Sequence, residues 1–193
     1  MYIETETTPN PASLKFLPQR EVMASGTREF ATPEAAEASP LAQAIFDTGE
    51  VTNVFFGSDF VSVTAAPGVS WTDLKPQVLA ILLDHFVSEA PLFAPGSAGG
   101  IAVPPEDAEM LVEERAEDED IVAQINELLE TRVRPAVAGD GGDIQYRGFR
   151  DGVVYLQMQG ACSGCPSSTA TLKHGIEGLL KHYVPEVVEV RAA

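Results

Sequence analysis

The two cysteines of the chain, Cys162 and Cys165, are separated by two residues and followed directly by a proline. Two thiolates at this spacing can converge on one metal centre, and the same spacing allows a disulfide. Tetrahedral zinc and most iron–sulfur clusters take four protein ligands, commonly cysteine sulfur. Because the sequence has only these two cysteines, a four-sulfur site needs two further ligands, most simply from a second copy of the chain.

The residues around the cysteines predict a loop at the start of a helix. Pro166 suits the first position of a helix, which places Cys165 at or near the N-cap. Backbone N–H groups and the helix dipole favour a thiolate over a thiol there. Gly160 and Gly164 leave room for the backbone around the sulfurs. The loop is therefore predicted to present its sulfur atoms outward.

Spacing and flanking residues leave several interpretations of the cysteine pair open. The pair could hold an iron–sulfur cluster that bridges two chains, act as a redox dithiol, share zinc between two chains, or consist of two incidental core cysteines. A thioredoxin-like dithiol would follow the strand of a βαβ unit. Here the pair follows a predicted hairpin, and no tryptophan adjoins it. The cluster is therefore favoured, with the oxidoreductase and a zinc-stapled dimeric adaptor as alternatives.

The charge of the chain excludes some classes of partner. The sequence has 193 residues, is 45% hydrophobic and carries a net charge of −17, which argues against nucleic acid and anionic membranes as partners. Residues 101–120 carry 9 acidic groups and 1 basic group, whereas residues 121–193 carry 8 and 7. The segment that holds the cysteines is thus nearly neutral, and we expect it to repel an anionic cluster little.

The composition also bears on the compartment. Closely spaced cysteines without further pairs favour a reducing environment over a secreted disulfide scaffold. Residues 1–6 lack the basic and apolar regions of a signal peptide and the arginine-rich bias of a transit peptide. No stretch approaches the ~20 apolar residues of a membrane span. The sequence therefore predicts a cytoplasmic protein of bacterial type with no membrane partner.

A change of composition after Glu89 divides the chain. A stretch rich in proline and glycine is followed there by an acidic run that ends at Asp120. We predict a domain over residues 1–90, a linker over 91–118 and a second domain over 119–193. Both domains are small and are predicted to be α+β.

The first domain shows strand and helix signals. Strands are predicted at Ser13–Leu17 and Val51–Phe56, and the second forms a hairpin with Phe60–Thr64. Ser39 and Pro40 predict the start of a short helix. Apolar residues from Leu74 to Phe86 recur at near-helical spacing and predict a second helix with Pro76 in its first turn, because a proline deeper in the helix removes a hydrogen bond.

The second domain is predicted to have the order α-β-β-α-β. An amphipathic stripe from Ile121 predicts a helix that stops before Pro135. The segment from Asp140 to Asp143 lacks the spacing of a calcium or phosphate loop and is predicted to be a tight turn. A hairpin around Asp151-Gly152, the cysteine loop, a second helix and a final strand at 187–190 follow. The CxxC loop therefore lies between the hairpin and a helix.

Four motifs follow one another in the second domain: Val133-Arg134-Pro135-Ala136, Asp140-Gly141-Gly142-Asp143-Ile144, Gly160-Ala161-Cys162-Ser163-Gly164-Cys165-Pro166 and Thr171-Leu172-Lys173-His174-Gly175-Ile176-Glu177. Together they resemble the C-terminal NifU-type domain of Nfu iron–sulfur scaffold proteins. The first domain is similar to the N-terminal domain of mitochondrial-type Nfu proteins in motifs that include Thr8-Pro9-Asn10-Pro11-Ala12-Ser13-Leu14-Lys15-Phe16 and Val54-Phe55-Phe56-Gly57-Ser58-Asp59-Phe60.

The resemblance implies a non-enzymatic carrier. Members of this family bind a [4Fe–4S] cluster between two subunits and pass it to apo-proteins. By resemblance, Cys162 and Cys165 of each chain would be the metal ligands, and the chain would form a homodimer on cluster binding. Its partners would be an upstream scaffold that donates the cluster and the apo iron–sulfur proteins that receive it.

Overall fold

The computed structural model describes residues 2–97, 115–163 and 166–192, with the backbone alone for 166–168. The chain divides into two compact units, Met1–Ile101 (unit 1) and Ala102–Ala193 (unit 2). Much of the predicted linker, residues 98–114, lies outside the described residues. The predicted domain boundaries therefore stay a prediction.

Unit 1 combines an antiparallel sheet with helices, as the predicted α+β class requires. In its described part, the strands are β1 (Glu4–Thr7), β2 (Ser13–Leu17), β3 (Arg28–Phe30), β4 (Val51–Phe56) and β5 (Val61–Ala65), ordered β1-β2-β5-β4-β3. The helices are α1 (Pro33–Ala36), α2 (Pro40–Phe46) and α3 (Trp71–Val87). The predicted strands, the hairpin and the helix after Ser39 are confirmed.

The sheet and helices of unit 1 share one hydrophobic core. Val61 and Val63 belong to this core, whereas Ser62 between them lies on the opposite face of the sheet, where it is also buried. Leu92 and Phe93, which follow α3 in the predicted linker, pack against the same core. The described start of that segment is thus part of unit 1.

Pro76 lies in the second turn of α3, so its predicted place in the first turn is wrong. The helix begins at Trp71 because Ser70 caps it, its side chain accepting a hydrogen bond from the Thr72 amide at 3.2 Å. The buried residues Leu74, Val78, Leu82 and Phe86 hold the helix on the core despite the missing donor of the proline.

Unit 2 has the predicted order of a helix, a hairpin, a helix and a strand. Its described helices are a 3-10 turn (Ala116–Asp118), α4 (Glu119–Leu128), a five-residue π-helical segment called the π-turn below (Leu129–Val133), α5 (Arg134–Gly139) and α6 (Pro166–Tyr183). Its described strands are β6 (Gly142–Arg150), β7 (Val153–Gly160) and β8 (Glu189–Ala192). In this sheet β6 is antiparallel to β7, and β8 is parallel to β7.

The first helix of unit 2 was predicted to stop before Pro135, and this prediction is wrong. Helical structure continues to Gly139. The π-turn allows this, because the Arg134 amide donates to the Leu129 carbonyl five residues earlier. A proline has no amide hydrogen to donate, and the wider turn accommodates it within a contiguous helix. The helix therefore delivers the chain directly to the turn before β6.

The β6–β7 hairpin and its turn are confirmed. Asp151 and Gly152 have φ values of 51° and 80°, both in the left-handed region, as in the two-residue turns that suit the twist of a hairpin. The final strand is shifted from the predicted residues 187–190 to Glu189–Ala192. The hairpin brings Gly142 at the start of β6 opposite Gly160 at the end of β7.

Candidate metal centre

Cys162 lies in the turn that follows β7 and precedes α6. Gly160 has a φ of 66°, which lets the chain leave the strand sharply. The amide and the hydroxyl of Ser163 both donate to the Gly160 carbonyl, at 3.1 and 2.8 Å. The Thr169 hydroxyl on α6 donates to the Cys162 carbonyl at 3.2 Å. The backbone of the first cysteine is thus fixed to both neighbouring elements.

The side chain of Cys162 points into unit 2, so the prediction that the loop presents this sulfur outward is wrong. Cys162 is 5% exposed, belongs to the hydrophobic core of the unit, and is a free cysteine among the described residues. A Cβ atom added at Gly142 would lie 2.7 Å from the Cys162 sulfur. The sulfur is inward because Gly142 has no side chain to occupy that space.

Cys165, the second predicted ligand, lies outside the described residues, as does Gly164. The structure therefore gives no distance between the two sulfurs, and both ligand assignments stay predictions. The backbone of α6 begins at Pro166, as predicted for the helix after the cysteine loop. This start keeps Cys165 one residue before the helix in the sequence.

The surroundings of Cys162 hold its sulfur in the thiol form. Burial, first, and the negative charges of Asp140 and Asp143 together raise the pKa of the Cys162 thiol to about 12. The nearly neutral charge count of residues 121–193 therefore concealed a local negative field at the sulfur. A count over a segment gives no information on which carboxylates the fold brings to one atom.

Asp143 is paired with Arg134, a contact that the sequence reasoning missed. The Arg134 Nε and Nη2 atoms donate to the two Asp143 carboxylate oxygens at 2.9 and 2.7 Å, and Nη1 donates to Glu130 Oε1 at 2.6 Å. These hydrogen bonds, those to Asp143 first, raise the pKa of the Arg134 guanidinium against the opposing effect of its partial burial. The signal available in the sequence was that both residues lie within the quoted motifs.

Lys173 and His174, which lie in the last of the four quoted motifs, form no ligand group with Cys162. His174 is exposed on α6, and Lys173 is 3.9 Å from Glu189 Oε1 on β8. Within residues 2–97, 115–163 and 166–192, no group of three or more histidine, cysteine or carboxylate side chains could hold a metal ion. The described residues of one chain thus provide a single candidate sulfur ligand and no ready-made site.

Comparisons with known proteins identify both units. Residues 3–89 match the family described as scaffold protein Nfu/NifU N terminal, and residues 125–191 match the NifU-like domain. The human NFU1 iron-sulfur cluster scaffold homolog, mitochondrial, is 46% identical over 188 residues, which cover 97% of this chain and 70% of the relative. The chain belongs to the Nfu/NifU scaffold protein family.

Plant members of the family are also similar to this chain. NifU-like protein 4, mitochondrial, of Arabidopsis thaliana is 50% identical over 189 residues, covering 97% of this chain and 64% of that protein. This chain therefore spans about two thirds of the length of these relatives. A solution NMR structure of a NifU-like protein from Saccharomyces cerevisiae aligns with a TM-score of 0.45 at 26% identity, covering 49% of this chain and 85% of that one.

The expectation of a cytoplasmic protein of bacterial type is wrong. The plant and human family members, at 46–50% identity, are named as mitochondrial proteins. The expectation rested on the composition of residues 1–6, but a targeting segment is separate from the mature domain and is removed from it. The composition of residues 1–6 is therefore no guide to the compartment. Among the helices of the described residues, none has the length and apolar character needed to cross a bilayer.

Proposed function

We propose that this protein is a non-enzymatic iron–sulfur carrier that binds a [4Fe–4S] cluster between two copies of the chain and passes it to apo-proteins. Cys162 and Cys165 of each chain would supply the four thiolates that such a cluster takes. The cluster is cargo, received from an upstream scaffold and delivered to recipient iron–sulfur proteins. We propose that residues 119–193 hold it, with residues 1–90 as a separate domain and 91–118 as the linker.

One observation carries the proposal: the only two cysteines of the sequence fall within the segment that matches the NifU-like domain. The names of the relatives as iron–sulfur cluster scaffolds support cluster binding as the use of these sulfurs. Two sulfurs per chain leave half of a four-sulfur site open. Dimerisation about a two-fold axis completes it with an identical half.

The inward position of Cys162 supports a carrier over a permanent cofactor site. A cluster atom cannot reach a sulfur that is packed in the core against Gly142, so binding has to turn the Cys162 side chain outward. The unloaded arrangement then competes with the loaded one. Such competition weakens retention of the cluster, which suits a protein that delivers it.

The same position argues against the dithiol oxidoreductase. The thiolate is the attacking form in disulfide exchange, and catalytic cysteines lie in exposed, electropositive surroundings. Burial and two nearby carboxylates raise the pKa of Cys162, which lowers its thiolate fraction at neutral pH. If Cys165 were the attacking residue, Cys162 would still have to become accessible to resolve the mixed disulfide.

The experiment is a transfer assay with the reconstituted protein. The chain is loaded anaerobically with iron and sulfide and mixed with an apo-aconitase-type acceptor, whose recovered activity is followed. Cys162→Ala should abolish loading and transfer, whereas Ser163→Ala, a neighbour in the same turn, should retain both. Loading of Cys162→Ala equal to that of the parent would contradict the bridging site.

The rivals predict other outcomes of the same preparation. A metal-free protein that reduces disulfides would indicate the oxidoreductase. Zinc in the freshly purified protein that iron and sulfide do not replace would indicate a zinc-stapled adaptor. Either result would overturn the carrier.

A further inference from the structure

Arg134 connects the first helix of unit 2 to the first residues of β6. Its fork of two hydrogen bonds to Asp143 fixes orientation as well as charge. The Asp143 side chain is 5% exposed, whereas the Arg134 side chain is 32% exposed and also bonds Glu130. The Asp143 end of this contact is therefore buried inside the unit, and the Arg134 end is partly exposed.

The Asp143 carboxylate is next in sequence to Gly142, against which the Cys162 sulfur packs. Asp143 directly follows Gly142, which is paired in register with Gly160 at the end of β7. The Cys162 sulfur lies in the space over Gly142. A displacement of Asp143 would also move Gly142, because neighbouring residues of a paired strand move together.

The cysteine loop is also hydrogen-bonded to the turn between α5 and β6. The Ala161 amide donates to the Gly141 carbonyl at 3.1 Å. Gly141 has a φ of 82°, a conformation that costs glycine little and other residues more. The Ala161 amide therefore reports on the packing of loop against turn without involving the thiol.

The π-turn sets the direction in which the Arg134 side chain projects from the helix. Its wide turn ends where the Arg134 amide donates to the Leu129 carbonyl, directly before Pro135. An inserted π-turn redirects the side chains that follow it, and such insertions are frequent at functional sites. Here the π-turn places the Arg134 guanidinium against β6, the strand that packs against the cysteine loop.

We propose that Arg134 is a positioning residue for cargo loading: through Asp143 it holds the start of β6 against the cysteine loop and keeps Cys162 inward. Because the sulfur has to leave Gly142 before it binds iron, Arg134 stabilises the unloaded arrangement and favours release. The consequence for the cargo rests on the proposed function. The coupling of Arg134 to the loop does not.

The test is hydrogen exchange of the Ala161 amide in the full chain carrying Arg134→Gln. The matched control is Arg132→Gln, whose parent side chain lies over the Tyr183 ring, 5.0 Å from its centroid, and not at β6. Breaking a half-buried ion pair should accelerate Ala161 exchange by at least about tenfold. Arg132→Gln should change it by less than about twofold.

The dependence of exchange on urea separates positioning from general destabilisation. Local opening exposes little surface, so the faster exchange of Ala161 in Arg134→Gln should depend weakly on urea. The Val184 amide, which donates to the Leu180 carbonyl at 2.7 Å, serves as the reference within unit 2. The proposal is overturned if Ala161 exchange is unchanged, or if it rises only with the urea slope of Val184.

A charge-balanced variant keeps the test valid if Arg134→Gln does not fold. Arg134→Gln removes the cation paired with the buried Asp143 carboxylate, whereas Arg134→Gln combined with Asp143→Asn removes both charges. Ala161 exchange in this double variant should also exceed that of the parent by at least about tenfold. An unchanged rate in the folded double variant would overturn the positioning role.

The loaded protein tests the consequence for the cargo. With the inward position weakened, the double variant should transfer its cluster to the acceptor at least about threefold more slowly than the parent. Equal or faster transfer, together with faster Ala161 exchange, would overturn the effect on release. If the parent chain takes up no iron, the proposed function fails, and the Ala161 measurement still decides the positioning role.

Discussion

The sulfur of Cys162 lies in the space that a side chain at Gly142 would fill. A Cβ atom at Gly142 would be 2.7 Å from this sulfur and 2.5 Å from the Gln159 carbonyl oxygen. The second contact is with backbone, which cannot rotate away. The size of one residue on β6 thus decides whether the predicted ligand at the end of β7 has a place inside the unit.

Gly142→Ala should destabilise unit 2 and drive Cys162 outward. Overpacking of a well-packed core costs about 1–3 kcal/mol, and the sulfur is the movable partner in this contact. We expect a lower urea midpoint for the amide signals of β6 and β7, and faster alkylation of Cys162 in a Cys165→Ser background. Unchanged stability together with unchanged alkylation would show that the sulfur does not use this space.

Gly178→Ala is the matched control for that substitution. Gly178 lies on α6 of the same unit, and a Cβ atom there would meet nothing within 4 Å. Alanine in an open helical position should stabilise unit 2 by about 0.5–1 kcal/mol and leave Cys162 alkylation as it is in the parent.

Ser39→Ala should lower the free energy of unfolding of unit 1 by about 2 kcal/mol. The Ser39 hydroxyl accepts from the Ala42 amide at 3.2 Å and donates to the Leu92 carbonyl at 2.6 Å, and the residue is fully buried. Its loss leaves both backbone groups without this partner. Trp71, the single tryptophan of the sequence, reports the urea unfolding of unit 1 by fluorescence.

The N-cap of α3 provides the comparison for Ser39. Ser70 accepts from the Thr72 amide at 3.2 Å in an exposed hydrogen bond, so water can replace the hydroxyl. Ser70→Ala should therefore cost less, about 0.5 kcal/mol. Equal losses for the two substitutions would mean that the bond of Ser39 to Leu92 adds nothing.

The stability of unit 1 should fall as the pH is lowered below about 6.5, the ordinary pKa of histidine. Burial lowers the pKa of His85 on α3; the charge of Asp84 opposes this shift and that of Arg20 adds to it. The unfolded chain then binds the proton more readily than the folded unit does. The contribution of His85 is therefore complete above pH ~6.5 and is lost as the pH falls toward its folded-state pKa.

His85→Gln should remove this part of the pH dependence, measured as Trp71-detected unfolding between pH 7 and about pH 5. His182→Gln should leave it in place, because His182 is exposed and belongs to unit 2. The same slope in His85→Gln as in the parent would assign the pH dependence to other groups.

Turn and cap chemistry made several elements predictable from the sequence. Asp151-Gly152 suits the left-handed conformation of a hairpin turn, and Ser39-Pro40 supplies both a cap and a first helical residue. Each signal is local, so it does not depend on distant contacts. The polar edge strand β1 gave no such signal, because its residues do not alternate between apolar and polar.

The two helix errors and the orientation of Cys162 depend on information that is not local. A proline shows which donor is missing, but the sequence does not show that a π-turn or a packed face compensates for Pro135 or Pro76. The inward sulfur depends on Gly142, twenty residues earlier, and on the hairpin register that brings the two together. The candidate ligands were identifiable by type and spacing, whereas their surroundings required the fold.

The most direct test of the proposed carrier is native mass spectrometry of the full chain after anaerobic reconstitution with iron and sulfide. A carrier that binds its cluster between two chains should appear as a dimer with one [4Fe–4S] cluster, about two irons per chain, and this species should be lost in Cys162→Ala. A reconstituted protein that stays monomeric without iron, or a Cys162→Ala protein with the same dimer and iron content, would contradict it.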